Sequence, residues 1–205
     1  MTNQEVEVKF YLNDADAVRH RISGEGGVFQ RREAEDNIRL DTGRSALLGA
    51  GTLLRLRKTD TRCLLTYKEQ TAPDGSGCKV YEELEVTVSD FENTTAILSR
   101  LGYRPVQRYE KIRETYAMGD AEVCIDAMPY GNFLEIEASP AVIRDTAEKL
   151  GFRWEDRILG NYLGIFEMLR ERFRLDFNDV TFENFLNSPV DFGEIVHLFT
   201  ASARS

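Results

Sequence analysis

Residues 5–10 read EVEVKF, so that Glu5, Glu7 and Lys9 alternate with Val6, Val8 and Phe10. Successive side chains of a strand point to opposite sides of the pleat, and strict alternation therefore describes a β-strand with one apolar and one polar face. The polar face consists entirely of full charges, and of both signs. The same pattern returns along the chain: Arg39 in NIRLDT, Arg55 and Arg57 in LLRLRK, Lys68 in LLTYKE, Glu83 and Glu85 in YEELEVTV, Lys111 and Arg113 in EKIRETY, Asp126 in VCIDAM, and Glu135 and Glu137 in FLEIEA.

Period-two segments at 5–11, 36–41, 52–58, 63–68, 79–88, 109–117, 121–127 and 132–137 predict about eight strands. Turn residues in APDGSG (72–77) and MGD (118–120) predict hairpins, and hence a largely antiparallel sheet. Three helices are marked by their ends: Asn13 before DADAVRHRIS, a Ser89/Glu92 capping box before FENTTAILSRL, and Ser139-Pro140 before AVIRDTAEKL, each stopping at a glycine. A weak internal echo links LSRLGYRP to AEKLGFRW.

Composition narrows the function. The 205 residues are 42% hydrophobic and 30% charged, those of a globular protein, and no apolar run approaches the roughly 18 residues that span a bilayer. MTNQEVEVKF lacks the basic and apolar segments of a signal peptide, so a cytoplasmic location is expected, with no membrane partner. Three widely spaced cysteines suit neither a disulfide framework nor a zinc site. A net charge of -9 disfavours nucleic acid, and an anionic ligand must be met by a concentrated local field. His20, His197 and the loop DGSGCK read as packing, surface and turn features.

A charged sheet face has two readings. It could be solvated, as antiparallel sheets often are. But like charges at spacing two lie about 7 Å apart and repel unless counter-charges or ligands lie between them. If eight strands close into a barrel, the charged faces become an interior, tolerable only when acids, bases, ions and a ligand compensate one another. Glu5, Glu7, Glu83, Glu85, Asp126, Glu135 and Glu137 are hard oxygen donors that predict magnesium or manganese. Lys9, Arg39, Arg55, Arg57, Lys68, Lys111 and Arg113 predict a polyanion richer in charge than one phosphate. Together they describe phosphoryl or nucleotidyl transfer.

Taken in order, EVEVK, LRLR, TYK, ELE, EKIR, ID and FLEIE make the chain resemble the CYTH superfamily, the triphosphate tunnel metalloenzymes, over residues 5 to about 150. The resemblance implies an α+β fold, an eight-stranded antiparallel barrel with helices packed outside. It implies metal ligation by Glu5, Glu7, Asp126, Glu135 and Glu137, assistance or a second ion at Glu83 and Glu85, and phosphate binding by the bases. Two departures stand out. Arg39 occupies the place of a tyrosine that, in the tripolyphosphatase branch, works with the EVEVK lysine on water, so Lys9 and Arg39 are the candidate catalytic pair and Arg39 reads as a further phosphate clamp. Tyr81 replaces a common arginine, with Lys79 on the same face.

The expected function is cleavage of a phosphoanhydride bond of ATP, tripolyphosphate or thiamine triphosphate. AMPYGNFLEIE resembles class IV adenylyl cyclases, which favours conversion of ATP to cyclic AMP and pyrophosphate; the alternatives are a triphosphatase and a non-catalytic polyphosphate or nucleotide sensor. Domain bounds are expected at 1–157 for the tunnel and 158–205 for a helical extension, with Tyr162, Ile165, Phe166, Leu169 and Phe173 on one stripe. That stripe is read as packed on the barrel, or as a homodimer contact.

Overall fold

The computed structural model describes residues 3–71, 75–158, 160–188, 190 and 192–204. Its strands are β1 (Asn3–Leu12), β2 (Val28–Asp41), β3 (Thr52–Lys58), β4 (Cys63–Gln70), β5 (Lys79–Val88), β6 (Arg104–Met118), β7 (Ala121–Met128) and β8 (Gly131–Glu137). They close in the order β1-β5-β4-β3-β2-β6-β7-β8, with β8 pairing back onto β1, and every pairing is antiparallel. The helices are α1 (Ala15–Gly24), α2 (Ala46–Gly49), α3 (Phe91–Arg100), α4 (Pro140–Lys149), α5 (Tyr162–Phe173) and α6 (Phe182–Phe185). No helix among the described residues is long and apolar enough to cross a membrane.

The barrel inverts the usual arrangement, because its apolar core lies outside the wall. Val8, Phe10 and Leu12 of β1 join Val123, Ile125, Leu134 and Ile136 of β7 and β8 beneath Val18 and Ile22 of α1 and Ile143, Ala147 and Leu150 of α4. The opposite faces of the same strands carry the charges. β2 starts at Val28, eight residues before the expected strand, and so adds Glu33 and Glu35 to the charged row. It pairs with β6 through a register shift between Arg39 and Leu40, opposite Gln107 and Pro105. Proline has no N–H for the ladder, which accounts for the irregularity there.

The helix ends differ slightly from expectation. Asp14, not Asn13, caps α1 by accepting from the Ala17 N–H. Asp90 rather than Ser89 caps α3, accepting from the Asn93 N–H, so the Ser89/Glu92 capping box does not form; the extra carboxylate one residue later takes its place. Ser139 precedes Pro140 as expected but makes no side-chain cap bond. The sequence echo has a structural counterpart. Gly102 and Gly151 sit at φ +98° and +78°, each letting the following residue bond back to its helix, Tyr103 N–H to Leu98 O and Phe152 N–H to Ala147 O, both at 2.9 Å. The MGD turn joins β6 to β7, while residues 72–74 of APDGSG lie outside the described residues.

Phe152 and Trp154 still pack on the outer-wall core, and the described residues from Ile158 onward occupy one end of the barrel. There β1 extends past its pairing with β5, and Ile158 N–H donates to Lys9 O at 2.7 Å. β6 likewise extends past β7, and Val180 takes up that edge, donating to Arg108 O at 2.8 Å and accepting from the Glu110 N–H at 2.9 Å. Tyr162, Ile165, Phe166 and Leu169 of α5, with Phe185, Phe192 and Phe199, pack onto Tyr109, Tyr130 and Phe133. This second apolar cluster closes that end.

Leu134 is fully buried in the outer core. Leu134→Ala is expected to cost about 3 kcal/mol, read as a lower urea midpoint at unchanged slope. A loss below about 1 kcal/mol would contradict a core built on the outer wall.

Candidate active site in the barrel interior

The register places the predicted charges opposite one another across the strands. Lys9 faces Glu135, Glu7 faces both Glu137 and Lys79, Arg39 faces Arg55, Arg113 faces Asp126, and Lys68 faces Glu83. All fourteen residues singled out from the sequence therefore share the interior face, by the pairings just given and by their period-two neighbours Glu5, Arg57, Glu85 and Lys111.

Three groups of ion pairs organise them. Toward the open end, Lys68 Nζ lies 2.5 Å from Glu5, 3.6 Å from Glu83 and 3.8 Å from Glu7, over the Tyr81 ring at 4.2 Å. At the centre, Lys9 Nζ lies 2.5 Å from Glu7 and 2.9 Å from Glu135. Arg113 grips Asp126 with two bonds of 2.7 and 2.6 Å and also donates to Glu135, while Lys111 lies 3.1 Å from Asp126. In the third group Arg57 pairs with Glu35 at 3.1 Å and donates to Asn37 at 2.9 Å; Arg55 donates to Thr66 at 3.1 Å and lies 3.7 Å from Glu85.

Burial and neighbours separate the carboxyls sharply. Burial raises Glu7, but Lys9 and Lys68 outweigh it and hold that carboxyl at about 2. Glu35 is held at about 2 in the same way by Lys111 and Arg57, and Glu135 falls well below the ordinary value under Arg113 and Lys9. Others lack enough positive charge. Burial pushes Glu5 up to about 8 despite Lys68, and Glu137, at the exposed end of β8, is raised to about 7 by desolvation and by Glu122 opposite it. Burial together with Lys9 lowers the Lys79 ammonium to about 7, and it donates to Gly160 O at 2.5 Å.

Two features bear on what could bind. Arg39 and Arg55 oppose each other, and the Nε of each is buried without a hydrogen-bond partner. Opposed guanidiniums with unfilled donors suit an anion with several oxygens. Glu7, Glu137 and Glu122 form a row of directly opposed carboxylates across β1, β8 and β7. These oxygen donors suit a hard divalent cation. In the present arrangement no three carboxylates among the described residues converge on one ion, because Glu7, Asp126 and Glu135 are taken up by lysine and arginine.

Sequence reasoning missed Glu35, Asn37, Thr66, Tyr109, Glu122 and Tyr162. Glu35 and Asn37 lie four and two residues before Arg39 on its own face, so carrying the alternation backwards finds them. Tyr162 has no such signal, because it lies on a helix; its hydroxyl donates to Asp126 at 2.8 Å. His20 and His197 are exposed, and the three cysteines are free.

A closed eight-stranded barrel with acids and bases interleaved inside is the architecture of a triphosphate tunnel. The family model of the CYTH domain matches residues 3–151, and the chain belongs to this family. A Methanocaldococcus jannaschii protein whose provisional name is adenylate cyclase is 31% identical over 166 residues, covering 80% of this chain and 89% of the relative. The PH1012 protein of Pyrococcus horikoshii superposes with a TM-score of 0.67 at 27% identity, over 77% of this chain and 96% of that one. A Hippeastrum protein, provisionally an adenylyl cyclase and described as having a dominant triphosphatase activity, shares the fold at 17% identity, with a TM-score of 0.61 over 80% of this chain and 95% of its own.

Glu137→Gln is expected to raise the melting temperature in EDTA at about pH 8, where the native carboxyl ionises only against its raised value. The gain should vanish at about pH 4, below both the native value and that of the unfolded chain, because neither state is then ionised. Scanning calorimetry at the two pH values checks this, and a lower melting temperature at the higher pH would contradict it.

Proposed function

We propose that the barrel is a metal-dependent enzyme that binds a triphosphate along its interior and cleaves one phosphoanhydride bond, with ATP cyclisation as the favoured reaction. The observation that carries this reading is the interior itself, where buried acids and bases neutralise one another and the Arg39–Arg55 donors are left over. On this view the internal ion pairs hold the place of the ligands. The triphosphate takes Lys9, Arg39, Arg55, Arg57, Lys68, Lys111 and Arg113, and the carboxylates so released, Glu5, Glu7 and Glu135 with Glu83 and Glu85 at the open end, join Glu137 in holding magnesium or manganese. Asp126 can join them only by giving up one of the donors that cover its oxygens.

When bound, a divalent cation neutralises charge on the phosphate oxygens in the transition state. The protein's own groups do the rest by position. Lys9, fixed between Glu7 and Glu135, meets the phosphate chain or the attacking oxygen, and Arg39 clamps the chain. Because α5 and the residues after it close one end, the nucleoside of ATP would lie toward the other end, with its 3′-hydroxyl placed to attack the α-phosphorus and release pyrophosphate. The name of the archaeal relative agrees with cyclisation. The Hippeastrum protein supports hydrolysis as the second reading, in that one fold accommodates a triphosphatase.

Incubation with magnesium or manganese and ATP, tripolyphosphate or thiamine triphosphate, followed by phosphorus NMR, separates the readings. Cyclic AMP with pyrophosphate is expected; orthophosphate selects hydrolysis, and no turnover of any of the three would overturn the enzyme reading. Glu135→Ala is expected to lower metal-dependent turnover at least about 100-fold at a temperature where the circular dichroism spectrum is still that of the folded protein, with a lower melting temperature because Lys9 and Arg113 each lose a buried partner. Arg39→Tyr is expected to increase orthophosphate release, measured colorimetrically, if the arginine is what withholds water activation; an unchanged rate would place that function elsewhere.

A further inference from the structure

We propose that Tyr162, contributed by α5 from beyond the residues matched by the CYTH model, is a positioning residue of the interior, holding Asp126 so that Lys111 can leave it for the triphosphate. The inference rests on the interior being a triphosphate site. Asp126 is 0% exposed. Its Oδ1 accepts from Arg113 Nε at 2.7 Å, and its Oδ2 accepts from Arg113 Nη2 at 2.6 Å, Lys111 Nζ at 3.1 Å and the Tyr162 hydroxyl at 2.8 Å. The Tyr162 ring also lies beneath Lys9 and Lys111, at 5.1 and 5.6 Å from the ring centre. One side chain thus touches the carboxylate and two of the cations.

Its placement is fixed from four directions. Ile158 is bonded to Lys9 O, Gly160 O accepts from Lys79, Asn161 caps α5 through the Gly164 N–H at 2.7 Å, and Tyr162 O accepts from the Tyr130 hydroxyl at 2.9 Å. A tyrosine needed only for packing would be served by its ring. Here the hydroxyl is directed to the least exposed carboxylate among the described residues.

The consequence follows from what substrate binding asks of Lys111. If its ammonium turns from Asp126 to a phosphate oxygen, a carboxylate without access to water loses a donor, which is costly unless others remain. With Tyr162 present, Asp126 keeps three bonds when Lys111 alone turns away, and it keeps the Tyr162 hydroxyl even where Arg113 gives up one of its two bonds to the phosphates. Without that hydroxyl the carboxylate competes harder for Lys111, and the triphosphate binds more weakly.

The test titrates the bis(methylene) analogue of tripolyphosphate, in excess magnesium, into the full chain and into Tyr162→Phe and Tyr130→Phe, by calorimetry. Tyr162→Phe keeps the ring and should melt within a few degrees of the unsubstituted protein, yet bind the analogue about tenfold more weakly. Tyr130→Phe removes a hydrogen bond to the same residue's backbone but not the link to Asp126, and should leave the affinity unchanged. Equal affinities for all three proteins, or equal losses in both variants, would overturn the positioning role. Failure of the unsubstituted protein to bind the analogue would instead overturn the triphosphate reading, and this inference with it.

Discussion

The Lys9 ammonium, held between the carboxylates of Glu7 and Glu135 inside a closed wall, is the interaction on which the rest of the structure depends. Burying an ion costs several kcal/mol unless partners restore what water supplied. That requirement governs register, since a slip of one residue would turn the charged row of any strand outward and its apolar row inward. It also governs where the core can be. With the interior given to charge, apolar burial is displaced to the outer wall under α1 and α4 and to the closed end under α5.

The interior is compensated unevenly, and the unevenness is informative. Glu7 and Glu135 are satisfied by cations and hold their charge, and Glu35 holds its charge under Lys111 and Arg57 although its Oε2 makes no hydrogen bond. Glu5 and Glu137 are raised, and Arg39 and Arg55 keep donors without partners. A fold selected for stability alone would remove such residues, because hydrophobic replacement of buried ion pairs is often neutral or favourable. The leftover acid and the leftover base describe two different guests, a hard cation and a polyanion. Strain of this kind is borne at functional sites and offset elsewhere, here by the two apolar clusters.

Much of this was legible in the residues. Alternation in EVEVKF and its counterparts located all eight strands and the inward face of each, because the period of a strand is short and the charged row is unbroken. The first half of β2 was not legible, since Val28 and Phe29 are largely exposed and the following run reads as uniformly polar. Glu35 was lost with it, although it faces Lys111 across the ladder. Tyr162 was hidden for a different reason: it lies on an apolar helical stripe whose period records packing, whereas its hydroxyl is used across 36 residues of sequence by contact with Asp126. Sequence periodicity reports which face a side chain occupies, not which distant element supplies its partner.

Ligand binding should exchange the internal ion pairs for contacts with phosphate and metal. A crystal structure of the protein with manganese and an ATP analogue bearing a methylene between the α- and β-phosphorus tests it most directly. The expected result is phosphate oxygens on Arg39, Arg55 and Lys111, and an anomalous manganese peak on carboxylates drawn from Glu5, Glu7, Glu135 and Glu137, with the contacts of Lys9 and Lys111 redistributed. Nucleotide bound on the outer wall, with the Lys9–Glu7 and Lys111–Asp126 pairs intact and no metal inside, would contradict it.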